Sequence, residues 1–165
     1  MPQEWTDRDD RLVSHCPRGP INDDEDIVRL VNETMCPTQG PIGESTFPRE
    51  FLCRPKDPFS NACGARSGES ILRRLGRSDA DFISASKEQF PSSSTGFVVA
   101  SANAIRAIRG PDPATSHLQA FFIYEDPNPQ QPHHAVIRYT EAPAMKSQIK
   151  LRRKELLEIL SHVAP

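Results

Sequence analysis

Histidines stand side by side once in this chain, as His133-His134 within EDPNPQQPHHAVIRYTEAP at residues 125–143. An imidazole can serve as a general acid or base, a metal ligand or a structural hydrogen-bond partner. Asp126 lies in the same stretch and could orient His134 as a base. Arg66, in CGARSGES, would be the cation of such a centre, so His134, Asp126 and Arg66 are the catalytic candidates of a small hydrolase or transferase. GARSG does not have the order of a nucleophile elbow, because Arg66 holds the place of the nucleophile. Successive side chains of an extended segment point to opposite faces, so two adjacent histidines do not readily chelate one ion. The competing reading is structural. His134 shares a face with Val136 and bonds into the bend before it, to Asp126, fixing that bend as a surface for a partner, while His133 points the other way.

Other residues offer weaker chemistry. Cys63, beside Gly64 and near Arg66, is the best-placed thiol for a nucleophile, and it would need a histidine from elsewhere as its base. Cys53, Cys63, His133 and His134 have the donor types for zinc, but their spacing matches no ribbon or finger. No metal and no cofactor is expected. Neither G-x-x-x-x-G-K-S/T nor G-x-G-x-x-G is present. Asp23, Asp24, Glu25 and Asp26 are not followed by a glycine-centred calcium loop, and they suit the first turn of a helix. Lys146, Lys150, Arg152, Arg153 and Lys154 form a basic cluster near the C-terminus, with Glu155 and Glu158 as partial counter-charges. Its readings are a solvated helix face or a contact with nucleic acid or an acidic partner. Interleaved aromatic residues, which a single-strand platform needs, are lacking. The binding candidates are therefore His133, His134, Lys146, Lys150, Arg153 and Lys154.

These residues have to be positioned by a chain of 165 residues with net charge −2 and sixteen prolines. That length suits one domain burying roughly 70% of its unfolded surface, here 11–165 behind a flexible 1–10. The balance of charge gives no global pull toward nucleic acid or an anionic membrane. No apolar run reaches the ~20 residues of a membrane span, and the start is acidic where a secretory leader is basic and apolar. A cytoplasmic protein with four reduced cysteines is the expectation.

Along the chain, 11–16 reads as a short strand. Asn22 caps a helix over 23–35, 46–54 is an edge segment interrupted by Pro48, and 68–75 is a short helix stopped by Gly76. ISASKEQFPSSSTG reads as polar and exposed, and its Ser-rich tip has the composition of a flexible loop. The second half is better patterned. A strand at 96–100 runs into a helix at 102–109 capped by Ser101, with Ile105 and Ile108 inward and Arg106 and Arg109 outward. Strands at 118–125 and 134–140 pair as a wide antiparallel hairpin, the second with Ala135, Ile137 and Tyr139 on one face. A long C-terminal helix over 144–162 covers them through Ile149, Leu156 and Leu160. The fold class is α+β, a small mainly antiparallel sheet with packed helices.

Three segments, GFVVASANAIRAI, EDPNPQQPHHAVI and MKSQIKLRRKELLEIL, resemble those of a widespread group of short uncharacterised bacterial proteins. The matching positions are Asp126, Pro127, Pro132, His134 and Ala135. The likeness covers about the last 70 residues; in the first half, KDPFSNACGARSG departs from the group's pattern. Such proteins often stand near defence or mobile-element genes. The resemblance implies an accessory or regulatory binding component of a multi-gene system, with anti-phage defence as the setting. Its partner would be a protein from the same gene neighbourhood, with no membrane contact. Catalysis through His134 and Asp126, and nucleic-acid contact through the basic helix, are the alternatives.

Overall fold

The computed structural model describes residues 10–11, 16, 18–48, 52, 68–109, 119–127, 130–139 and 146–165. Six strands form one antiparallel sheet: β1 (Asp26–Asn32), β2 (Glu69–Arg73), β3 (Ser94–Ser101), β4 (Phe121–Glu125), β5 (His134–Tyr139) and β6 (Ser161–Val163), in the order β4-β5-β2-β1-β3-β6. Among the described residues, helices α1 (Asp79–Gln89), α2 (Ala102–Arg106) and α3 (Lys146–Glu158) and a 3-10 turn at Glu44–Thr46 accompany it. The α+β expectation and the β4–β5 hairpin both hold, with Ile123 opposite Ile137.

The first half departs from expectation. Residues 26–32 form a central strand, not a helix. Ile27, Val28, Leu30 and Val31 fit helical spacing, but they equally fit a strand covered on both faces, where apolar residues run on continuously. The acids that suggested a helix start serve as ion-pair partners instead. Glu25 takes Arg73 at 2.8 Å, Asp26 takes Arg74 at 3.0 Å and Asp23 takes Arg106 at 2.8 Å. The segment expected as a second helix is β2, whose alternating burial follows the two-residue strand period. Gly68 at its start has φ +152°, and a Cβ there would lie 2.7 Å from the Ile137 carbonyl oxygen, so the β2–β5 approach requires glycine.

Most of α1 falls in the stretch expected as polar and exposed. Ser78 and Asp81 make a reciprocal capping box: Asp81 N–H donates to Ser78 Oγ at 3.2 Å, and Ser78 N–H donates to Asp81 Oδ2 at 2.8 Å. Fully buried Phe82 packs on Phe97 with ring centroids 5.4 Å apart. With Val28 and Leu30, these two rings form the core beneath α1. The larger core lies on the opposite face. There Ile27, Ile71, Phe121, Ile123 and Ile137 meet Ile105 of α2, and Ile149 and Leu156 of α3.

The C-terminal helix is shorter than expected. It ends at Glu158, and the chain turns into β6, which pairs with β3 and whose His162 Nε2 lies 2.6 Å from the Thr95 carbonyl oxygen. Ser101 caps α2 as its sequence suggests. Arg106, expected outward, is 3% exposed and bridges Asp10 and Asp23. Asp10, expected in a fraying terminus, is fully buried; its carboxylate also accepts from the Ile123 N–H at 2.7 Å and from Gln119. Cys16 is disulfide-bonded and Cys36 is a buried free thiol, which overturns the expectation of four reduced cysteines. The expected strand at 11–16 and most of the 46–54 segment lie outside the described residues.

Candidate functional site

On the α1 face the helix covers β1 and β3 and leaves part of the β1–β2 surface as the floor of a cleft of about 630 Å³. That volume lies within the range of small-ligand sites. Val28, Leu30, Ser70 and Leu72 contribute to its floor. Ala85, Glu88 and Gln89 of α1 line one side, and the end of the proline-rich bend, Gln130 to His134, lines the other. Arg77, just before the α1 cap, stands at one end.

Local bonds fix the bend wall. His134 Nδ1–H donates to the Asp126 carbonyl at 2.9 Å and lies 3.0 Å from Asp126 Oδ2. Asp126 N–H donates to the His134 carbonyl at 2.9 Å, and His134 N–H donates to the Gln131 carbonyl at 3.0 Å. The bend is thus closed on itself, as the sequence suggested from Asp126 and His134 lying within one turn-rich stretch. Burial disfavours the charged imidazole of His134, but the bonds to Asp126 and its negative charge prevail and raise its pKa above the ordinary 6.5. With Nδ1 committed to Asp126, Nε2 has no hydrogen-bond partner among the described residues.

His133 differs from expectation. The strand begins at His134, so strand alternation does not govern His133, and both residues line the cleft. The His133 carbonyl accepts from Arg73 N–H at 2.8 Å, which ties the bend to β2. Burial lowers the His133 pKa, and the charges of Arg77, Arg18 and Arg73 lower it further.

Arg77 is the cleft residue that the sequence did not single out. Its guanidinium lies over the Phe82 ring at 4.4 Å, and Nη2 donates to the Arg73 carbonyl at 3.0 Å. The available signal was an arginine directly before a Ser-x-x-Asp capping box. That signal is weak because most of the helix falls in ISASKEQFPSSSTG, whose composition is polar and exposed.

The remaining candidates do not converge on the cleft. Arg153 pairs with Glu44 at 3.1 Å, and Arg152 pairs with Glu155 at 3.0 Å. Lys150 and Lys154 are exposed, and the Lys146 side chain is not described. Arg66, Cys53 and Cys63 lie outside the described residues. Among the described residues no three His, Cys, Asp or Glu side chains group as metal ligands, and no helix is long and apolar enough to cross a membrane. No family model, curated protein or solved structure matches the chain.

Proposed function

We propose that this chain works by binding, as an accessory or regulatory component of a bacterial multi-gene system such as an anti-phage defence cluster, and that the cleft between α1 and the bend is its recognition surface. The reading is supported above all by the Asp126–His134 closure. These bonds tie Asp126 to His134 and Gln131 to His134 before any partner arrives, so less ordering entropy opposes association there. The sequence likeness to proteins of such gene clusters supplies the setting, and a cytoplasmic workplace follows from that setting. The occupant would come from a product of the same neighbourhood. Ala85→Trp should fill the cleft from the α1 side, and affinity capture from the native host should then lose the protein that wild type retains. Capture unaffected by a filled cleft, in a variant that melts like wild type, would exclude this surface.

One observation favours a second reading. A histidine with Nδ1 on a carboxylate, Nε2 free and a raised pKa has the arrangement of a general base, and Ser70 supplies a hydroxyl to the same cleft. Hydrolysis of activated esters lost on His134→Ala, with the fold retained, would select this reading over binding.

A further inference from the structure

We propose that the Arg77 end of the cleft is an oxyanion-binding site, receiving the carboxylate or phosphate head of a small ligand between Arg77 and His133. This deepens the binding reading and rests on it for the role of the cleft, though not for the presence of the anion.

Carboxylate distribution is the first support. Arg29, Arg73, Arg74, Arg106, Arg152 and Arg153 each ion-pair with an acid: Glu69, Glu25, Asp26, Asp10, Glu155 and Glu44 respectively. Arg77 is also half-buried yet has no ion pair among the described residues. The acid whose charge reaches it is Asp81, and that carboxylate is engaged by the Ser78 N–H. Burial lowers the Arg77 pKa, as expected for a cation with incomplete compensation, and Arg18 and Arg74 add to the effect.

Unmet hydrogen-bonding capacity is the second. Arg77 Nε and His133 Nδ1 are both buried atoms without a partner, and both residues line the cleft. A buried polar atom left unpaired carries a desolvation penalty of roughly 1–3 kcal/mol, so two together call for an explanation. An oxyanion meets both requirements once the two side chains turn toward the cleft, since Arg77 and a protonated His133 would each donate to it. Stacking on Phe82 and the bond to the Arg73 carbonyl hold the guanidinium in place beforehand. No acid is among the groups acting on His133, where Arg77, Arg18 and Arg73 are all cationic.

The far end of the cleft limits the ligand. Glu88 lies near the end of α1, ~14 Å along the helix from Asp79 at a rise of 1.5 Å per residue. An anionic head at Arg77 therefore suits a neutral or cationic tail.

Sodium phosphate and sodium acetate, titrated at constant ionic strength with chloride as control, test this by NMR at the His133 imidazole, assigned by its loss in His133→Gln. A saturable shift is expected with at least one of the two anions, together with a rise in the His133 pKa as the site fills. The preferred anion identifies the head group. Arg77→Gln should weaken binding by at least about tenfold, as loss of a charge-assisted contact predicts, while Arg74→Gln, whose parent already holds Asp26 and Asp79, should leave it nearly unchanged. Arg77→Lys, which retains the charge, provides a second folded variant and should bind between wild type and Arg77→Gln. Absence of a saturable shift with either anion, or equal affinity in Arg77→Gln, overturns the proposal. Saturation at His133 combined with partner capture that ignores a filled cleft would leave the anion site standing and remove only the cleft's role in partner recognition.

Discussion

Two oxygens of one residue, Asp126, share the Nδ1 proton of His134, and this makes the bend pH-sensitive in a definite direction. The folded pKa of His134 is raised, so the folded chain holds that proton more tightly than the unfolded one. The resulting stability is fully present below the unfolded value and is lost as pH rises through the folded one. His134→Ala should therefore lower the urea midpoint more at about pH 5.5 than at about pH 8.5. His133 has the opposite sign, because its folded pKa is lowered, so its protonation favours unfolding as pH falls. Replacing His133 by Ala should accordingly become less harmful, or helpful, at the acidic end. Equal effects of His134→Ala at the two pH values would refute the assignment. This part of the site could be read in the sequence because His134 and Asp126 sit within one short bend. Arg77 could not. Its significance depends on a stack with Phe82 and on the approach of His133 through β2–β5 pairing, neither of which leaves a local pattern.

At the scale of elements, legibility followed how each segment is buried. Residues 121–125 and 134–139 alternate or run apolar within tight bounds, and they pair as expected. β1 was hidden because a strand covered on both faces has the same apolar density as a short helix. α1 was hidden because one large side chain, Phe82, carries most of its packing among serines and charges. α3 was legible in its apolar stripe but not in its end. Leu156 is fully buried against the sheet, whereas Leu151, five residues earlier on the same helix, is 54% exposed. Leu156→Ala should cost about 2–5 kcal/mol in denaturant unfolding, the range for emptying a buried leucine site. Leu151→Ala should stay within about 0.5 kcal/mol. Similar losses at both positions would mean that α3 does not rest on the sheet through the Leu156 face.

For the molecule as a whole, Asp10 is more firmly attached than the polarity of its surrounding sequence suggests. The disulfide at Cys16 withdraws the support that four reduced thiols would lend to a cytoplasmic setting, which then rests on the sequence likeness alone. Asp10 makes the polar attachment. Its carboxylate joins three parts of the fold by accepting from Arg106 after α2's first turn, from Gln119 before β4 and from the Ile123 N–H within β4. Burial raises the Asp10 pKa, against the opposing effects of the Ile123 N–H, Arg106 and Gln119, so this carboxylate is held at an electrostatic disadvantage that only those partners offset. Removing it would strand buried donors on all three. Asp10→Ala should thus destabilise by about 3–5 kcal/mol, as breaking one side of a buried ion pair does. Asp10→Asn keeps an acceptor for the Ile123 N–H and should lose less, because Arg106 retains Asp23 and the Ile21 carbonyl. Paired denaturation curves decide the matter. Equal losses for Ala and Asn would assign the role to charge alone, and no loss for either would show that the N-terminal attachment does not depend on Asp10.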